Sequence, residues 1–244
     1  MNRSRTVMLL AVLSFLVVTT LVSAGTVRYI YDDAGRLIEV QYGQTASIRY
    51  EYDPMGNLTK VTTQGQACQV TFPDVPPGYW AFDHISAIAC AGYVPTTGNF
   101  GPSQLVTRGD MAAYLMRARY GENFTFPATP YFTDVPATHP YFKYVQRLKA
   151  DGLTVLEGVY RVDEVVSRAV AAIFIVRTLY TDEFAYSSSP YFSDVPPTHS
   201  AFKWIQKLKD TNLTRATGTF NHAVGIPRDQ TAVILARAFL GLTN

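Results

Sequence analysis

The sequence predicts a mainly α-helical protein with a short β segment near its N-terminus, an α+β chain overall. A 60-residue period holds two amphipathic helical stretches in each of three copies. Upstream, a 21-residue period alternates polar and apolar residues as strands do. Composition agrees with a packed chain: 16 Tyr and 14 Phe among 244 residues supply apolar area, although only 16% of residues are charged.

The first 25 residues read as an export signal. Arg3 and Arg5 form a positive start, Val7 to Val22 is almost wholly apolar, and Val22-Ser23-Ala24 offers small side chains to a signal peptidase. A membrane anchor is the other reading. It is weaker, because those 16 residues include Ser14, Thr19 and Thr20 and a spanning helix needs about 20 apolar residues. Cleavage after Ala24 is expected, with no lipid attachment, since Gly25 rather than Cys follows. No later stretch is long enough to span a membrane. Without Arg3 and Arg5 the basic residues fall from 21 to 19 and equal the 19 acidic ones. A neutral chain without a basic run excludes nucleic acid as a partner. Export also places Cys68 and Cys90 where a disulfide persists. Only one pairing exists; the alternative is that Cys90 is simply a small buried apolar residue.

Residues 25–66 carry the shorter period. Tyr31, Asp32, Gly35, Leu37 and Val40 return as Tyr52, Asp53, Gly56, Leu58 and Val61. Asp33-Ala34-Gly35 and Pro54-Met55-Gly56 are turn chemistry between strand-like runs, so two short hairpins are expected. The pattern resembles the YD repeats of the Rhs family, in which many hairpins coil into a large shell. Two copies cannot enclose anything, and a small β appendage or spacer is expected.

The longer period runs from Phe72 without an insertion. Phe72-Pro73-Asp74-Val75 returns as Phe132-Thr133-Asp134-Val135 and Phe192-Ser193-Asp194-Val195, and Arg108 returns as Arg168 and Arg228. First helices are expected at roughly 79–91, 139–151 and 199–211, with buried faces set by Phe82, Ile85 and Ile88 and their equivalents. Second helices are expected at about 108–119, 168–180 and 228–241. One two-helix unit cannot bury both its faces; three units, stacked or set about a pseudo-threefold axis, can.

Three units of Phe-x-Asp-Val, an aromatic-rich helix, a Gly-x-Phe loop and an Arg-containing helix start resemble a tandem of S-layer homology domains, at residues 70–124, 130–183 and 190–241. The resemblance implies one pseudo-trimeric body whose inter-repeat grooves bind cell-wall polysaccharide, pyruvylated or peptidoglycan-linked, and so hold the protein on the bacterial surface. It implies neither metal nor cofactor, and a monomer with internal pseudo-trimer symmetry.

The candidate glycan-binding residues are Arg108, Arg168, Arg228, Asp74, Trp80, Asp134 and Asp194. Each arginine stands at a second-helix start, where free amides and the helix dipole favour an anion and the guanidinium fork suits a carboxylate. Alternatively each arginine pairs with the Asp of its own repeat and only staples two elements. Repeat 1 ranks first, because Trp80, Thr107, Arg108 and Asp110 coincide there, whereas Pro140 and Ser200 replace Trp80 elsewhere. Thr107 and Asp110 read as a capping box, Ser167 as a cap, and Pro227 as a first-turn residue. Arg108-Gly109-Asp110 also spells an integrin-recognition tripeptide, but a helical one. His139 and His199 read as turn partners, and no HExxH, GxSxG or P-loop spacing appears. A binding protein rather than an enzyme is therefore expected. An interaction or structural module of an Rhs-type surface protein is the alternative, and a cryptic wall hydrolase the third reading.

Overall fold

A computed structural model describes residues 27–42, 46–65 and 68–242. The expected signal peptide lies outside the described residues. The chain forms two compact units, one up to Ala67 and one from Cys68 onward.

In the first unit, β1 (Val27–Tyr31), β2 (Leu37–Tyr42), β3 (Ala46–Tyr52) and β4 (Leu58–Gly65) form one antiparallel sheet in the order β1-β2-β3-β4. The two expected hairpins are thus joined into a meander by β2–β3 pairing, with Val40 opposite Ile48. The repeated Tyr-Asp-x-x-Gly pattern is a turn device. The Asp32 carboxylate accepts from the Ala34 and Arg36 amides at 3.0 and 2.8 Å, and Asp53 does the same for Met55 and Asn57. Gly35 and Gly56 then take φ of 76° and 91°, which a side chain would resist.

The second unit contains six helices: α1 (Phe82–Cys90), α2 (Arg108–Tyr120), α3 (Phe142–Ala150), α4 (Arg168–Tyr180), α5 (Phe202–Asp210) and α6 (Arg228–Leu240). The first helix of each pair starts three residues later than its spacing predicts. A turn stands there instead, in which Phe82, Phe142 and Phe202 donate to the carbonyls of Tyr79, His139 and His199, each at 2.9 Å. The predicted apolar faces are buried, with Phe82, Phe142 and Phe202 9%, 6% and 6% exposed.

Helix pairing crosses repeat boundaries. α2 packs on α3, α4 on α5, and α6 returns to α1, closing three repeats into a pseudo-threefold ring. The junction is made by backbone. Val106 N–H donates to Ile226 O at 3.0 Å, Ile226 N–H to Val166 O at 2.9 Å, and Val166 N–H to Val106 O at 2.9 Å. These three side chains are buried, so the closed triangle sits away from water, where backbone groups must be paired.

Linkers between repeats are pinned by buried amides. Gln146 accepts from the Tyr131 amide and donates to Pro127 O and Thr129 O; Gln206 repeats this with Tyr191, Ser187 and Ser189. At the equivalent place in repeat 1, Ser86 accepts from the Val70 amide, and the Cys68–Cys90 disulfide fixes the segment covalently.

Two outcomes follow from this packing. Phe142→Ala should cost about 3–5 kcal/mol in denaturant unfolding, and a loss under about 1 kcal/mol would show the core contact to be absent. Reducing the disulfide, which spans 22 residues, should cost about 3 kcal/mol, read as a lower melting temperature that Cys68→Ser reproduces.

Candidate functional site

Each Phe-x-Asp-Val opening acts through its carboxylate. Asp74 accepts from the Phe100 and Gly101 amides at 2.8 and 2.7 Å. Asp134 accepts from Tyr160 and Arg161 at 2.8 and 2.6 Å, and Asp194 from Phe220 and Asn221 at 2.7 Å each. Burial alone would raise these carboxyls, but the amides outweigh it and hold all three below the usual carboxylate range. The loop aromatics pack on the opening rings, with Phe72–Phe100, Phe132–Tyr160 and Phe192–Phe220 centroids 5.4, 5.2 and 5.1 Å apart. Asp74, Asp134 and Asp194, expected as glycan ligands, thus hold their own loops, because both carboxylate oxygens are committed to backbone. They do not staple the arginine of their own repeat either.

The helix-start amides are also committed. The capping box on α2 is present, with Thr107 Oγ1 accepting from Asp110 N at 3.1 Å and Asp110 accepting from Thr107 N at 3.2 Å. Ser167 caps α4 through the Val170 amide, while Pro227 is the extended N-cap of α6 rather than a first-turn residue. The remaining donors reach the next repeat. Arg108 and Gly109 donate to Glu164 O and Val162 O, Arg168 and Ala169 to Val224 O and His222 O, and Arg228 and Asp229 to Gln104 O and Pro102 O. The expected pool of free amides for an anion is therefore consumed in joining repeats.

The three arginines follow their helices across the junction. Arg108 Nε donates to Tyr160 O at 2.8 Å, and its guanidinium lies 4.8 Å from that ring. Arg168 Nε donates to Phe220 O at 2.6 Å and lies 4.9 Å from Phe220; a second nitrogen contacts Gln230. Arg228 lies 5.0 Å from Phe100. Arg108 is further covered by Phe174 at 5.3 Å and is only 9% exposed.

These placements create grooves at the repeat junctions. One, of about 360 Å³, is bordered by Trp80 from repeat 1, Arg168 from repeat 2, and Leu213–Ala216, Gln230, Val233, Ile234 and Arg237 from repeat 3. Trp80 is 59% exposed. A shift of 60 residues gives a second groove of about 310 Å³, with Pro140 for Trp80, Arg228 for Arg168, and Asp110, Tyr114 and Arg117 for Gln230, Ile234 and Arg237. At the third junction Phe174 stands where Ile234 and Tyr114 stand, and it covers Arg108. The constellation expected within repeat 1 is therefore split. Trp80 meets Arg168, Asp110 meets Arg228, and Arg108 is buried under Phe174, because each groove draws on all three repeats.

The two open grooves differ in charge. The Trp80 groove is bordered by Arg168, Arg215 and Arg237 and, among the described residues, by no carboxylate. Burial, and then the neighbouring Arg215 charge, lower the pKa of Arg237. In the second groove the Asp110 carboxylate accepts from Tyr141 Oη at 2.5 Å, and Arg117 is held by Glu122 at 2.8 Å and Tyr144 at 2.6 Å. Burial would raise Glu122, but Lys143, Tyr144 and Arg117 together pull it down to about 2. Sequence reasoning did not place Arg215, Gln230 and Arg237 in a site, although Arg237 recurs with Arg117 and Arg177 and Gln230 stands in a repeated helix start; only knowledge of the helix pairing would have brought them to Trp80.

The integrin tripeptide has a packing explanation. Arg108 and Gly109 are buried. A Cβ on Gly109 would lie 2.4 Å from Tyr141 Cδ2 and 2.8 Å from Val162 Cγ2. Ala81 and Ala201 stand at the other junctions where Tyr141 stands here, and Asp229 and Ala169 replace Gly109 there. In an open helix Gly→Ala stabilises by about 0.5–1 kcal/mol. Gly109→Ala should instead destabilise by about 1–3 kcal/mol in thermal or denaturant melts; a gain in stability would contradict the Tyr141 contact.

Among the described residues no helix is long and apolar enough to cross a membrane. No curated protein resembles the chain closely enough to count as a relative. The RHS repeat model matches residues 31–67, from the end of β1 through β4. The S-layer homology domain model matches residues 71–112 and 131–172, and the third unit, with α5 and α6, repeats their architecture. The chain thus carries two matched S-layer homology domains preceded by an RHS repeat.

Proposed function

We propose that the unit from Cys68 onward holds this protein at the bacterial envelope by binding an acidic wall polysaccharide non-covalently in the Trp80 groove. The observation that carries this reading is the meeting of an exposed indole, from repeat 1, with the Arg168 guanidinium, from repeat 2, in one cavity walled by repeat 3. The indole face suits the C–H face of a sugar ring, and the Arg168 fork suits a carboxylate such as a pyruvyl ketal. The cavity lies in the size range of small-ligand sites. Binding needs no cofactor and no bond breaking, so the protein acts as an anchor rather than an enzyme. One copy suffices, since a single chain supplies all three repeats.

The chain exported without its signal should cosediment with purified wall sacculi and be displaced by soluble wall glycan. Trp80→Ala should weaken retention about tenfold or more. Arg168→Lys keeps the charge but loses the fork, and should weaken retention too. Arg108→Lys should leave retention unchanged, because that guanidinium is buried against Tyr160 and Phe174. Retention that survives Trp80→Ala and Arg168→Lys would sink this reading. The RHS repeat supports a second one, an interaction module of a surface protein, which binding to a purified protein partner without competition by glycan would favour.

A further inference from the structure

Repeat 3 contains a side-chain contact that the other repeats lack. His199 Nε2 and His222 Nδ1 are 3.2 Å apart, with ring centroids at 4.3 Å. The position of His222 is held by Pro102 in repeat 1 and Val162 in repeat 2. Tautomers follow from the neighbours. The Ala201 amide donates to His199 Nδ1 at 3.1 Å, so the His199 proton sits on Nε2 and is donated to His222 Nδ1. Both nitrogens without a proton are then in use as acceptors. An added proton on either ring must break one of these bonds and set donor against donor.

The second imidazole belongs to the loop that holds Arg168. Phe220 O accepts from Arg168 Nε, His222 O from the Ala169 amide at 3.0 Å, and Val224 O from the Arg168 amide at 2.8 Å. The charged groups facing the pair are Asp194, which holds the same loop from the opening turn, and Arg168 from α4.

We propose that His199 and His222 form an acid-sensitive latch that keeps loop 220–224 against α4, so that acid loosens Arg168 and weakens wall binding. The link to wall binding rests on the glycan reading of the Trp80 groove; the latch itself does not. Burial, and then the His222 charge, lower the His199 pKa below its ordinary 6.5, with Asp194 opposing. Neutral His199 therefore stabilises the loop above about 6.5, and that contribution is lost as the pH falls through its depressed native value.

The molecule contains its own control. The Gly109 amide donates to Val162 O at the equivalent junction, where His139 holds the place of His199 but Val162 replaces His222, so no second imidazole completes a pair. In hydrogen exchange on the full mature chain, the protection of Ala169 relative to Gly109 should fall about tenfold between pH 7.5 and pH 5. His222→Gln, which does not titrate, should remove most of that change. Retention on sacculi should weaken at least about threefold over the same range in the unmodified chain, and less in the variant. Ala169 and Gly109 protection moving together at every pH, or the same acid response in His222→Gln, would overturn the latch whatever the wall does. Acid-sensitive exchange with acid-insensitive retention would instead overturn the glycan reading of the groove.

Discussion

Everything in the body from Cys68 onward depends on the triangle of backbone hydrogen bonds among Val106, Val166 and Ile226. Each segment donates to one neighbour and accepts from the other, so no repeat can satisfy its own backbone alone. The first amides of α2, α4 and α6 continue this exchange into the adjacent repeat. Helix starts usually leave donors that attract anions; here those donors are spent on assembly. The grooves at the junctions are left to be lined by side chains.

This constraint explains why the grooves are composite. A helix whose first turn is tied to the next repeat carries its arginine there as well, over Tyr160, Phe220 or Phe100. Three equivalent backbone junctions then diverge through a few side chains. Phe174 closes one over Arg108, Tyr141 and Asp110 fill and balance another, and Ala81 leaves room beside Trp80 in the third. Backbone symmetry and chemical asymmetry coexist because the triangle and the helix-start bonds run between backbone groups, leaving the side chains around them free to vary.

Much of the fold was legible in the sequence. The 60-residue period and the i, i+3, i+6 faces located the six helices, and the Tyr-Asp and Gly positions located the β1–β2 and β3–β4 turns. The late starts of α1, α3 and α5 were not legible, because Tyr79, His139 and His199 offer their carbonyls to a turn that composition does not distinguish from a helix. The site was read in the wrong grouping. A repeat in sequence invites the inference that neighbours in the repeat are neighbours in space, and Trp80 with Arg108 followed that inference. Pairing across repeats places Trp80 with Arg168 and Arg237 instead. The aspartates misled for a related reason: a carboxylate in a recurring turn looks the same whether it faces a ligand or the backbone amides 26 and 27 residues on.

The composite groove is tested most directly by double-mutant cycles on retention by wall sacculi, pairing Trp80→Ala with Arg168→Ala and with Arg108→Ala. Residues that share a site couple by about 0.5–3 kcal/mol, and independent ones add within about 0.5 kcal/mol. Coupling of Trp80 with Arg168, and additivity with Arg108, is the expected result. Coupling with Arg108 and additivity with Arg168 would contradict a groove built from three repeats.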